Sequence, residues 1–275
     1  MNVTSSEPET GQNPARWLPY GRRWSEAPRL VWHAIRGTPV VASYPKSGRT
    51  WLRIMLDELG IRAEYTHFGA GVGQPRRVEE LTPNPLWCAG RPTLLLLRHP
   101  LDTLVSSYFQ ATRRRATFSG SLAEFAQHPS LGIEKLLRWN LLWAERGVEL
   151  PRFGIVEYEA MHADPRVVLQ QAAAIFHAAR RDAEIARAVA AGSIETMRAN
   201  EQAGTYRARY RRALVPRDQS DPESFKVRRG VVGGFRDYLA AEDVARCEEA
   251  LARHDYWRRI RAAIARAGAV AGPVA

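Results

Sequence analysis

Short, uninterrupted apolar runs alternate along this chain with stretches whose apolar positions recur every three or four residues. Val40, Val41 and Ala42 form the first run. An apolar run without polar alternation, ending at a turn, marks a strand buried on both faces of a parallel sheet. It stops at Tyr44-Pro45-Lys46-Ser47-Gly48, after which Leu52, Met55, Leu56 and Leu59 take helical spacing. The same grammar predicts strands over 63–66, 94–97 and 153–156. Helices are predicted from near Pro100 through Phe109 to about 113–115, and over 122–126, 132–146, 166–178, 182–191 and 240–267. A short helix is expected at 29–35 and a Gly- and Pro-rich connection over 69–92. The polar, arginine-rich segment 203–223 lacks a period and reads as a mobile lid or loop. Alternating strands and helices imply a three-layer α/β fold, a parallel sheet flanked by helices with ligands at the carboxyl ends of its strands. No repeat or second domain is visible. A flexible segment 1–20, a single domain 21–267 and a flexible tail 268–275 are expected.

The chemistry sits where strands meet helices. After the first strand, a Pro-Lys-Ser-Gly turn aims backbone N–H groups, the positive end of a helix dipole and Lys46 at one spot, as an oxyanion requires. Gly48 lets the backbone approach that anion closely. The ordinary nucleotide loop G-x-x-x-x-G-K-[ST] fits poorly, because Lys46 precedes Gly48 and no earlier glycine fits. After the strand at 94–97 come Arg98, Pro100, Asp102 and Ser106. Proline suits a first helical turn and Asp102 complements the positive helix end, while a guanidinium and a hydroxyl suit a phosphate. A basic, glycine-containing stretch, FKVRRGVVGGFRDY, spans 225–238. Read singly, these are also an exposed lysine at a turn, an arginine paired with Asp102, and a solvated basic face.

Together and in this order, the segments resemble the sulfotransferases that use 3′-phosphoadenosine 5′-phosphosulfate (PAPS). YPKSGRTW is similar to that family's 5′-phosphosulfate loop, YPKSGTTW, with Arg49 in place of a threonine. Arg98, Pro100, Asp102 and Ser106 match its R-x-P-x-D-x-x-x-S pattern. Arg228, Arg229, Gly230 and Gly233 match R-K-G-x-x-G-x-W-[KR], with arginine for lysine and Phe235 for tryptophan. Tyr158 lies in a segment like Y-E-x-M-x-x-D-P, and Ser193-Ile194 before Met197 is similar to S-F-x-x-M. The resemblance implies a P-loop-NTPase-like sulfotransferase fold, PAPS as donor, PAP as product and no metal. It implies that Lys46, Ser47, Gly48, Arg49 and Thr50 hold the 5′-phosphosulfate, and that Arg98, Ser106, Arg228, Arg229 and Gly230 hold the 3′-phosphate. Trp51, Tyr158 and Ser193 then belong to the adenine site, and Ser47 restrains Lys46. Asp164-Pro165 reads as a helix cap and first turn.

Sulfuryl transfer calls for an in-line nucleophile and a stabilised leaving phosphate. Lys46 and the backbone donors of residues 47–50 suit the second need, and a base suits the first. Of the seven histidines, His67 follows a predicted strand and precedes a glycine-rich stretch, as the family's base does. Tyr65 replaces the family's lysine before it, and the interval from Lys46 is short. A polar strand-end histidine without a catalytic part is the alternative. His99, inside the Arg98 motif, reads as a local contact.

Composition narrows the field further. Forty Lys+Arg against 29 Asp+Glu give a formal net charge of +11, mostly from arginine. Such a surplus suits nucleic acid, an anionic membrane or a small polyanion. A donor with about four negative charges accounts for it by guanidinium–phosphate pairing, and no nucleic-acid module is visible. Two cysteines exclude a disulfide framework. Residues 1–13 lack a secretory signal's layout, and no apolar run reaches the roughly 18 residues of a membrane span. A cytoplasmic protein, similar to bacterial members, is expected. A phenol, sugar, lipid-linked glycan or peptide natural product all fit as acceptor, and an amine could replace the hydroxyl. The dimer segment K-x-x-x-T-V-x-x-x-E of animal relatives is absent, so oligomeric state stays open. An ATP-dependent phosphotransferase and a noncatalytic nucleotide- or nucleic-acid-binding protein are the rival readings.

Overall fold

Val40 and Ala42 point to one side of the sheet and Val41 to the other, and both sides are covered. The computed structural model describes residues 37–67, 70, 88, 90–206, 210 and 230–270. Its strands are β1 (Val40–Ser43), β2 (Glu64–Thr66), β3 (Thr93–Leu97) and β4 (Phe153–Glu157), all parallel and ordered β2-β1-β3-β4. The helices are α1 (Arg49–Glu58), α2 (Pro100–Phe109), α3 (Leu122–Gln127), α4 (Ile133–Gly147) and α5 (Tyr158–Ala163). They continue with α6 (Pro165–Ile175), α7 (Asp182–Ala191), α8 (Ile194–Gln202), α9 (Ala241–Arg253) and α10 (Tyr256–Val270).

Two cores follow from the two sheet faces. Val40, Ala42, Leu95, Leu97 and Phe153 pack with Leu104 of α2, Trp139 and Trp143 of α4, and Tyr256 and Ile260 of α10. Val41, Leu94, Leu96 and Val156 pack with Leu52 and Met55 of α1, Leu169 of α6 and Ile185 of α7. The unbroken apolar strands thus satisfy a helical layer on each side. At the amino ends of the strands, Arg91 donates to Glu64 Oε2 (2.9 Å) and to the Thr38 carbonyl (2.8 Å), a buried clamp across β2, β1 and β3. The chain leaves β1 toward β2 on one side, and β3 returns on the other. That reversal opens a crevice at the carboxyl ends of β1 and β3.

Several predicted elements change. The helix expected over 240–267 is two, broken at His254-Asp255, where Asp255 has a φ of 47° and ends the regular ladder. The helix from Pro100 passes into a π-helical turn over Gln110–Arg114. Asp164 does cap α6, accepting from the N–H groups of Arg166 and Val167, but α6 ends at Ile175 rather than 178. Helices α5 and α8 were not expected: α5 has six residues, too few for periodicity, and α8 buries only Met197 and Glu201. Of segment 203–223, Tyr206 and Tyr210 are buried against Ile54 and Met197, so this part is packed rather than mobile. The rest of that segment, the helix expected at 29–35, most of 69–92, the expected flexible start 1–20 and residues 271–275 lie outside the described residues, while 268–270 of the tail expected at 268–275 belong to α10. Among the described residues no helix is long and apolar enough to cross a membrane.

Candidate active site

The loop after β1 is built by its own residue order. Ser47 N–H bonds the Tyr44 carbonyl (3.4 Å) around Pro45 and Lys46, and Lys46 takes a φ of 75°. Proline second and positive φ third is the type II turn pattern, which favours glycine in the third place. Lys46 there carries about 1–3 kcal/mol of strain. Gly48 follows with φ 92°, and a Cβ on it would lie 2.5 Å from the Tyr158 ring, so only glycine lets the loop pass beneath that tyrosine. Helix α1 starts at the next residue with no side-chain cap, leaving its first N–H groups directed at the crevice.

Three strand-end loops are tied to one another. Arg98, after β3, donates to the Lys46 carbonyl (3.3 Å) and lies 4.3 Å over the Tyr158 ring. His99 N–H donates to Glu159 Oε1 (2.9 Å), joining the β3 and β4 loops. The basic glycine segment closes over them. Arg98 donates to the Val231 carbonyl (3.4 Å), while the buried Asp102 carboxylate accepts from the N–H groups of Gly233 (2.8 Å) and Phe235 (2.9 Å). The Phe235 ring lies parallel to His99 at 5.1 Å. Asp102 therefore does more than complement its own helix: it caps the 3₁₀ turn Gly234–Asp237 from 131 residues away. Gly230, at φ 65°, passes so close to Ile194 that a Cβ would sit 2.4 Å from its Cδ1.

Lys46, Gly48, Arg49, Thr50, Trp51, His67, Arg98, Ser106, Tyr158 and Gly230 all line one cavity, with Asp102, Ile194, Met197 and Phe235. Trp51 meets Tyr158 edge-to-face at 5.5 Å. Ser47 and Ser193 do not line it. Ser47 is buried under the turn, and Ser193 caps α8, its Oγ accepting from the Thr196 N–H (3.1 Å). Arg228 and Arg229 lie outside the described residues. Lys46 Nζ reaches across to Gln110 Oε1 (3.4 Å), which the π-helical turn carries; nothing in the sequence pattern marks Gln110. His67 Nδ1 is 2.7 Å from the Ser43 carbonyl. Donation to that oxygen fixes the proton on Nδ1 and the lone pair on Nε2.

The cavity is electropositive. Lys46, Arg49 and Arg98 line it, and Asp102, the one carboxylate among its described lining residues, is engaged by two backbone donors. Burial, and then the charge of Arg53, lower Arg49 to about 10, so it stays cationic at neutral pH. Burial likewise pushes the His99 imidazole below its usual range and the Tyr158 phenol above its own. Among the described residues no three His, Cys, Asp or Glu side chains cluster as a metal site would require. Both cysteines are buried and unpaired.

A parallel α/β sheet with a strand–turn–helix loop at its reversal point defines a class, the P-loop-like α/β folds. Comparison with known proteins narrows it. The sulfotransferase domain model matches residues 73–255, and the chain belongs to the sulfotransferase family. The loop at 44–51 and His67 precede the matched stretch. Mouse sulfotransferase SULT7A1 complexed with PAP superposes with a TM-score of 0.60 at 18% identity, over 86% of this chain and 93% of that one. Retinol dehydratase in complex with androsterone and inactive cofactor PAP gives 0.59 at 15%, over 82% and 84%. Its complex with retinol and PAP gives 0.61 at 16%, over 82% and 85%. No curated protein matches by sequence.

Proposed function

We propose that the cavity takes PAPS and that the enzyme passes its sulfuryl group to a hydroxyl or amine acceptor, releasing PAP. One observation carries the reading: residues from five separate segments, Lys46, His67, Arg98, Ser106, Tyr158 and Gly230, line a single electropositive cavity. The PAP named in the relatives' structures supports the same donor.

The donor supplies an activated sulfuryl group; the chain supplies position and charge. The first-turn N–H groups of α1 and Lys46 face the phosphate that carries the sulfuryl group and offset the charge it gains as the bond to sulfur breaks. Arg98 and Ser106 take the 3′-phosphate, with the loop from Gly230 laid over it. Trp51 and Tyr158 flank the base. Ser43 holds His67 so that Nε2 faces the cavity, where it accepts the acceptor's proton as the new bond to sulfur forms. Arg228, Arg229, Ser47 and Ser193 complete the set expected from the sequence, Ser47 and Ser193 in this reading by shaping their loops.

The test is a thermal-shift series with PAP, ATP and an oligonucleotide, followed by transfer of labelled sulfate from PAPS across an acceptor panel. A shift with PAP that needs no magnesium, and none with ATP, is expected. The reverse ranking would return the site to a phosphotransferase.

A further inference from the structure

The cavity that holds His67 is also lined by a cation that the donor reading leaves without a task. Arg49 lines the cavity, and no carboxylate pairs with it among the described residues. The Tyr65 hydroxyl, on the strand that leads to His67, is buried with no hydrogen-bond partner among the described residues. The Arg53 guanidinium lies over the rings of Tyr65 (5.1 Å) and Tyr210 (4.9 Å). Asp57, the acid beside Tyr65, is already held by Arg53 (3.7 Å) and by the Tyr210 hydroxyl (2.8 Å). Arg49, Arg53 and the Tyr65 phenol thus lie together, and among the described residues the carboxylate beside them, Asp57, pairs with Arg53 rather than Arg49. A half-buried cation without a counter-charge is unfavourable unless a ligand brings one. In the family's usual loop this position carries a neutral threonine, so the extra cation belongs to this chain.

We infer that Arg49, with the Tyr65 hydroxyl, forms a second anion site next to His67, and that the acceptor carries a carboxylate, phosphate or sulfate group near its reacting hydroxyl. The inference rests on the donor reading above. Arg98, Ser106 and the Gly230 loop serve the nucleotide, and Arg49, on the wall of the same cavity as His67, selects the acceptor.

The experiment uses full-length protein saturated with PAP and titrated with 4-hydroxybenzoate or its neutral counterpart 4-hydroxybenzamide at pH 7.5, by calorimetry. A charge-assisted pair predicts that the acid binds roughly tenfold tighter than the amide. Arg49→Thr brings the two together, Tyr65→Phe reduces the ratio by roughly threefold, and Lys46→Ala leaves the preference in place. Equal binding of the two probes, or binding of neither, overturns the anion site. So does a preference lost in Lys46→Ala but kept in Arg49→Thr, which would seat the carboxylate where the sulfuryl group belongs. A tenfold loss of PAP affinity in Arg49→Thr with the preference intact would give Arg49 to the donor instead. Failure of the wild-type protein to bind PAP at all, measured first, strikes the donor reading and this inference with it, whereas PAP binding without a preference for the acid strikes this inference alone.

Discussion

Lys46 sits in a backbone conformation that glycine would adopt more easily, with its ammonium directed to Gln110 Oε1. Lys46→Ala removes the charge and leaves the turn strained, because alanine carries the same Cβ at positive φ. Turnover should fall by roughly 10²–10³-fold with stability close to wild type, read from labelled-sulfate transfer and urea unfolding of the same preparation. His67→Ala should remove the acid limb of the kcat profile, since the base is lost with its titration; an unaltered limb would place the proton acceptor elsewhere. His99 gives a pH effect of known sign. Burial keeps its folded pKa below the unfolded value near 6.5, so the unfolded chain binds the extra proton first. Its contribution is complete above about pH 6.5 and is lost as pH falls through the lower folded value. Thermal melts of wild type and His99→Phe between pH 7.5 and 5 should diverge accordingly, the variant losing less.

Between elements, the notable tie is Asp102, which links the first turn of α2 to the loop around Gly233 and Phe235. An amide there keeps the shape but cannot accept two N–H bonds as an anion does. Asp102→Asn should weaken PAP binding by roughly tenfold, the scale of one charge-assisted hydrogen bond. AMP, which lacks the 3′-phosphate, should be affected less. Equal losses for both nucleotides would mean a general loosening of the cavity rather than a misplaced phosphate loop. The strand–turn–helix units that carry these ties were legible, because continuous apolar runs and Pro-Lys-Ser-Gly or Arg-His-Pro punctuation are local signals. Helices α5 and α8 were not: one is too short and the other too polar for a period to register.

For the molecule as a whole, the buried Arg91–Glu64 pair clamps the amino ends of β1, β2 and β3, opposite the cavity. Glu64→Ala leaves a buried guanidinium without its counter-ion, so a loss of about 3–5 kcal/mol is expected in urea unfolding. Because the pair lies at the far end of the strands, PAP affinity of the folded variant should stay close to wild type. A large affinity loss would show that the sheet's far end shapes the site.

The residue order alone determined the parallel α/β fold, the anion loop and most of the cavity's lining, since each is written in neighbours along the chain: strand, turn, helix start, and the cation placed at the junction. What the tertiary structure decided involves partners far apart in sequence. Gln110 meets Lys46, Asp102 holds residues 233 and 235, Tyr158 lies over Gly48, and Arg49 faces the cavity with no carboxylate paired to it among the described residues. Such pairings depend on where the sheet order β2-β1-β3-β4 brings separate loops, and a one-dimensional pattern carries no record of that distance.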